Sequence, residues 1–285
     1  MRRLIVILAM AVLGFAGWTA AFNRDSALYW QARVALMKLQ GRDPGLVTRQ
    51  TDPRGRTEAA PAVAAKVGVF IAYGQSNSAN FGAPGHAVRH PVFNFLDGTT
   101  YAYEDPALGA DGFGGSVWGR VGDGLVEAGA FDAVVFATTG FGSRTVAELG
   151  EGELYDYFLK QYQGLAEIYG HVDGILFHQG EQNHHDRSSA DYAAGFAHLI
   201  ARLRADGIDA PFYLSQASYC GNSVDLHLLA VQDVLISGTE GVLRGPNSDI
   251  LADARYRRDG CHFSAEGLDA FAAQWVAAIS AASED

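Results

Sequence analysis

The chain has 285 residues, 48% of them hydrophobic, and a formal net charge of -11. That length suits one large domain with an appendage. Beyond the first residues no Lys/Arg cluster occurs, so the acidic balance excludes a nucleic-acid partner and disfavours polyanionic substrates; neutral or acylated sugars suit it better.

The chain opens on Met1-Arg2-Arg3 and an apolar stretch from Leu4 to Phe15, the n-region and h-region of an export signal, with Thr19-Ala20-Ala21 as small residues for cleavage. The apolar stretch continues to Phe22, about 19 residues, which is also long enough to cross a bilayer. Residues 1–22 are therefore expected to be either a cleaved signal peptide or a single N-terminal membrane anchor. Both readings place the rest outside the cytoplasm: periplasmic, extracellular, or tethered to the membrane. Residues 23–66 read as a stem. Ser26 to Leu39 has apolar residues at helical spacing, and Gly41 to Pro61 is rich in Gly, Pro, Thr, Arg and Asp without periodicity. The main domain is expected over residues 67–285.

From Val67 onward, strand-like apolar runs alternate with amphipathic helical stretches. The runs are Val67–Tyr73, Ala133–Ala137, Gly174–Phe177 and Pro211–Ser215. The helical stripes are Leu154/Phe158/Tyr162/Leu165/Tyr169, Tyr192/Phe196/Leu199/Ile200/Leu203, and Leu268/Phe271/Ala272/Trp275/Val276/Ile279, the last with Ser264 as N-cap. Such alternation predicts an α/β fold with a parallel sheet, whose sites lie beyond the carboxyl ends of its strands. The Gly-rich, aromatic stretch from Asn80 to Arg120 reads as loops over the cleft. Phe81, Phe93, Phe95, Tyr101, Tyr103, Phe113 and Trp118 are divided there between sugar stacking and core packing.

Each polar motif follows a strand end. After the first comes Gly74-Gln75-Ser76-Asn77. A small Gly permits a sharp turn that lifts a serine to the rim of the sheet, and the Ser76 N–H can serve an oxyanion. Alone, this also fits an ordinary polar turn. Ser78 replaces the second Gly of a G-x-S-x-G elbow, which argues against an α/β-hydrolase. Asp259-Gly260-Cys261-His262 supplies the partner: His262 as base for Ser76, Asp259 to fix its tautomer. After the third run comes His178-Gln179-Gly180-Glu181-Gln182-Asn183-His184-His185-Asp186. Gln179, or Asn183, can offer a side-chain N–H to the oxyanion, and Glu181 can brace the loop or bind a substrate hydroxyl; Gln75 is a further substrate-binding candidate. The histidines do not form H-E-x-x-H, and adjacent His184 and His185 point apart, so no metal is expected. Thr138-Thr139-Gly140-Phe141-Gly142-Ser143-Arg144-Thr145 follows the second run. Its Gly140, or next Gly142, is placed to bring a backbone N–H to the acyl oxygen. It lacks the Lys of a phosphate loop. Cys220 and Cys261 are the two cysteines; export would favour a disulfide between them, with two buried thiols as the alternative.

Read together and in order, these motifs resemble the SGNH hydrolase superfamily, and more closely its sialate O-acetylesterase-type branch, which includes esterases that deacetylate xylan. The resemblance covers residues 67–280. It rests on Gly74–Asn77, Gly140–Gly142, Gln179–Asn183 and Asp259–His262. It implies a flavodoxin-like three-layer α/β/α fold, a Ser76–His262–Asp259 triad, no metal or other cofactor, and hydrolysis of O-acetyl esters on carbohydrates. Ser76 and Gly140 are then backbone oxyanion donors, with Gln179 or Asn183 beside them. The chain departs from the branch in reading Gly-Phe-Gly-Ser-Arg-Thr where a compact Gly-Gly-Thr/Ser is usual, and in having His at 178. Rival readings are a glycan O-acetyltransferase, a non-catalytic glycan-binding module, and an esterase or lipase for simple esters. The sequence does not set the oligomeric state.

Overall fold

A computed structural model describes residue 39 and residues 49–83, 85–186 and 189–282, without the side chains of residues 185, 186 and 189. The chain divides into two units, Met1–Thr48 and Arg49–Asp285. The expected signal or anchor and the Ser26–Leu39 helix lie outside the described residues, Leu39 apart. Among the described residues no helix is long and apolar enough to cross a membrane.

The strands are β1 (Val67–Gly74), β2 (Val92–Leu96), β3 (Thr99–Ala102), β4 (Ala133–Gly140), β5 (Gly174–His178), β6 (Phe212–Gln216) and β7 (Val242–Asn247). They form one 7-stranded sheet in the order β3-β2-β4-β1-β5-β6-β7. All neighbours run parallel except the β2–β3 hairpin. β4 is buried along its whole length and β1 from Gly68 onward, as a parallel sheet covered on both faces requires. The helices are α1 (Trp118–Glu127), α2 (Val146–Leu149), α3 (Gly152–Tyr169), α4 (Glu181–Asp186), α5 (Ser189–Ala205), α6 (Leu226–Gly238) and α7 (Ala265–Ala282). On one face Phe70, Phe136, Leu176 and Tyr213 pack with Trp118 and Val121 of α1 and Phe271 and Trp275 of α7. On the other, Tyr73 stacks on Phe158 of α3 at 4.5 Å, and Phe212 meets Phe196 of α5 edge-on. This is the three-layer α/β/α arrangement expected.

The stretch from Asn80 to Arg120 is not all loop. It holds the β2–β3 hairpin and the start of α1. The hairpin turns at Asp97-Gly98, both with positive φ (50° and 87°), a two-residue turn that suits the strand twist. The polar Asn94 hid β2 by interrupting its apolar run. In the fold Asn94 is buried and its amide bonds the carbonyls of Leu108 and Phe136 at 3.2 and 3.0 Å. β7 was hidden by Gly245-Pro246, a pair tolerated because β7 is an edge strand. Of the aromatics in this stretch, Phe95, Tyr101, Tyr103 and Trp118 are core residues, while Phe81 and Phe113 are part-exposed.

Residues 49–66, expected as the end of a stem, are hydrogen-bonded into the main unit. Gln50 N donates to Ala110 O at 2.9 Å and its side chain to Gly112 O at 2.8 Å. The Arg49 guanidinium lies 4.2 Å from the Tyr157 ring centroid. In the structure the boundary therefore falls at Thr48/Arg49.

Candidate active site

Register brings the first three motifs together. Gly74 at the end of β1 is level with Gly140 of β4 on one side and His178 of β5 on the other. At Gly74 φ is 135°, and a Cβ there would lie 2.0 Å from the His178 carbonyl oxygen. Only glycine lets the chain leave the sheet so tightly. Ser76 opens a single 3-10 turn, Ser76–Ser78, and is 5% exposed. The turn is fixed by Gln75 N donating to His178 O (2.9 Å), Ala79 N to Ser76 O (3.0 Å) and Trp118 Nε1 to Ser78 O (2.8 Å).

Asp259 and His262 sit on the loop before α7. His262 Nδ1 lies 2.8 Å from Asp259 Oδ2. Asp259 Oδ1 accepts from the N–H groups of Cys261 (3.0 Å) and His262 (2.7 Å). Burial raises the Asp259 pKa, but the His262 ring and these donors outweigh it and hold the carboxyl at about 2. An ionised carboxylate can only accept, so Nδ1 carries its proton toward Asp259 and Nε2 is left as an acceptor.

The two loops meet. Asn77 Nδ2 lies 3.4 Å from Cys261 O, linking the residue after Ser76 to the residue before His262. Ala83 N donates to Phe263 O at 3.0 Å. No hydrogen bond joins the Ser76 hydroxyl to the His262 ring; such bonds are often long without a ligand and tighten when one binds. Cys220 and Cys261 form a disulfide, which excludes the free-thiol alternative. Arg257 locks the same loop from beneath. It is buried, donating through Nε to Leu251 O (2.8 Å), Nη1 to Cys261 O (2.7 Å) and Nη2 to Ser248 O (2.7 Å). Its guanidinium lies 4.0 Å from the Phe263 ring centroid.

On the loop after β5, Glu181 takes the bracing one of its two expected roles. Gln75 and Glu181 were candidates for substrate contact, yet both are buried and bonded inward. Gln75 Oε1 accepts from Gln179 Nε2 (3.1 Å) and Gln182 N (3.0 Å). Glu181 Oε1 accepts from Asn77 Nδ2 and lies against His178 Nε2, both at 2.8 Å. Burial pushes the Glu181 carboxyl up, but the His178 ring and the Asn77 amide hold it well below the carboxylate range. Both side chains brace the nucleophile turn. Gln179 is fully buried, and its Nε2 faces three acceptors: Gln75 Oε1, Arg144 O (2.9 Å) and Asn183 Oδ1 (2.8 Å). Two hydrogens cannot serve three acceptors and an oxyanion as well, so Gln179 is committed to the loop. Asn183 Oδ1 also accepts from Val146 N at 3.1 Å, which fixes its amide from the carbonyl side. In the Gly loop, the Gly142 N–H is taken by Asp111 Oδ2 at 3.0 Å. The Gly140 backbone passes so close to the Ser76 turn that a Cβ would lie 2.9 Å from the Ser78 carbonyl.

Asn77, Asp111 and Arg257 were missed as site residues. Asn77 was visible beside Ser76, but nothing local to Asp111 announces its contact with Gly142, and the loop around Arg257 has no periodicity that would show the guanidinium turned onto its own carbonyls.

The family model described as carbohydrate esterase, sialic acid-specific acetylesterase, matches residues 127–279. The chain belongs to this family. The match contains the Gly loop, Gln179–Asn183 and Asp259–His262; the Ser76 turn lies before it, and the sheet register carries that turn into the site. The esterase has the fold of several solved structures. A protein from Arabidopsis thaliana is 15% identical with a TM-score of 0.60, covering 76% of this chain and 98% of that one. A GDSL-lipase-like protein from Parabacteroides merdae is 14% identical with a TM-score of 0.51, covering 77% and 99%. A carbohydrate acetylesterase from Xanthomonas citri is 17% identical with a TM-score of 0.50, covering 75% of the esterase and 55% of its own chain. No curated protein matches the sequence.

Proposed function

We propose that this carbohydrate esterase removes O-acetyl groups through Ser76, His262 and Asp259. His262 Nε2 takes the proton of the Ser76 hydroxyl as its oxygen attacks the acetyl carbonyl. The resulting oxyanion is met by the backbone N–H groups of Ser76 and Gly140. The C–O bond to the sugar breaks, the sugar oxygen takes the proton from His262, and an acetyl-enzyme remains. Water, deprotonated by His262, attacks that ester; acetate leaves and Ser76 recovers its proton. Asp259 holds the imidazole tautomer and stabilises the imidazolium in both halves. The observation that carries this reading is the His262–Asp259 pair at 2.8 Å, on a loop bonded to the Ser76 turn through Asn77.

Residues 1–22 are proposed to direct export, leaving the enzyme periplasmic, extracellular or membrane-tethered. The disulfide supports this, since such bonds persist in oxidising compartments.

Acetate release from p-nitrophenyl acetate and from acetylated glycans tests the assignment when the full chain is set beside Ser76→Ala. The expected result is activity that vanishes in the variant. Equal activity in both would remove Ser76 from the mechanism.

A further inference from the structure

Phe81 has no part in the triad, yet its ring lies against it. The Phe81 and His262 rings are stacked, 5.4 Å between centroids and 21° between planes, within the range of favourable offset stacking. The Phe81 ring has little freedom. A Cβ at Gly142 would lie 2.9 Å from its Cζ, and one at Gly112 3.0 Å from its Cδ2. The ring is therefore wedged between two glycines and the imidazole. Its backbone is pinned on both sides: Asn80 N donates to Asp111 O (2.8 Å) and Gly82 N to Gly115 O (3.0 Å). Arg258 Nη1, from the loop that carries His262, donates to Gly82 O at 3.0 Å.

We infer that Phe81 is a positioning residue for the base, a flat wall that holds the His262 ring in the plane from which Nε2 reaches Ser76. The inference rests on the reading of His262 as general base. Asp259 fixes one edge of the ring through Nδ1, but a single hydrogen bond leaves the ring free to tilt about it. The stacked face removes that freedom. The wall also accounts for the departure in the Gly loop. Gly142 is glycine because Phe81 occupies the space of its side chain, and its N–H belongs to Asp111.

The test is steady-state kinetics on p-nitrophenyl acetate, a substrate with no sugar to stack. Phe81→Leu keeps apolar bulk and removes the ring. It should lower kcat by about 10- to 100-fold, the scale of a misplaced catalytic group, with KM nearly unchanged. Gly142→Ala, which drives a methyl into the ring, should lower kcat when Phe81 is present. It should cost clearly less in the Phe81→Leu background, where only its approach to the Asp111 carboxylate (3.1 Å) remains. Unchanged kcat in Phe81→Leu overturns the inference. So does a rise in KM confined to glycan substrates, which would make the ring a sugar platform, and so does simple additivity of the two substitutions. If Ser76→Ala is as active as the native chain, the esterase assignment has failed rather than the role of Phe81.

Discussion

Ser76 and His262, the proposed nucleophile and base, are held in place by opposite means. The Ser76 turn is an extension of the sheet: Gly74 still pairs in register on both sides, and Ser76 is 5% exposed. The Asp259–His262 loop belongs to no regular element, and the Asp259 and His262 side chains are 47% and 24% exposed. It is kept in shape by three contacts from distant parts of the chain, the disulfide to Cys220, the Asn77 amide and the Phe81 ring, and by the Arg257 guanidinium at its own start. A sheet end needs only short-range chemistry to present a serine. An exposed histidine loop must be anchored from outside, and its anchors should be removable one at a time.

The largest effect should come from the sheet side. Ser76→Ala removes the only atom that forms the covalent intermediate, and kcat on p-nitrophenyl acetate should fall at least about 10⁴-fold. Retained turnover would break the comparison at its root. On the loop side, Asp259→Asn keeps the shape but fixes the wrong tautomer, and kcat should fall roughly 10³–10⁴-fold with little change in KM. A loss under tenfold would show that the other anchors orient His262 without the carboxylate.

Removing the Cys220–Cys261 bond, as the double alanine variant, should cost about 2–4 kcal/mol of stability. It should lower kcat more than KM, measured by thermal unfolding beside kinetics. A stable variant with native kcat would show that Arg257 and Asn77 suffice. The smallest effect is expected at Glu181, which supports the serine turn. Glu181→Gln should cost about 1–3 kcal/mol, the scale of charge-assisted hydrogen bonds. The sign with pH follows from its depressed pKa. Its stabilisation is complete above the ordinary value of 4.5 and is lost as pH falls toward about 2. The variant should therefore lose less stability than the native chain across that window. An identical acid-unfolding profile would show that Glu181 is not ionised in the fold.

The same contrast explains what the sequence disclosed. Ser76, Asp259 and His262 stood out as a candidate set because each sits in a short motif at a strand end or before a helix. The sheet was legible where strands are continuously apolar, as in β1 and β4, and not where Asn94 or Gly245-Pro246 interrupts them. Gln75 and Glu181 were recognised as important, but polar type alone could not say which way they faced. Only their donors in the fold, the Gln182 backbone N–H for Gln75 and the Asn77 side-chain amide for Glu181, turn them inward. Asp111 acts through the Gly142 N–H, 31 residues along the chain, which no local pattern encodes; Arg257 bonds nearby carbonyls, of Ser248, Leu251 and Cys261, but in a loop with no periodicity to reveal them.

The segment before β1 does more than lead into the domain. Ala59 N donates to Thr100 O at 3.1 Å and Ala102 N to Thr57 O at 2.8 Å, with Glu58 bridged to Tyr101. These bonds fall on the outer side of β3, the terminal strand of the sheet. An uncovered strand of this kind is a template for another chain, and natural proteins protect such edges to avoid aggregation. A chain trimmed to begin at Lys66 would keep every catalytic residue and still expose that edge, so solubility, rather than chemistry, would set how far the amino terminus can be shortened.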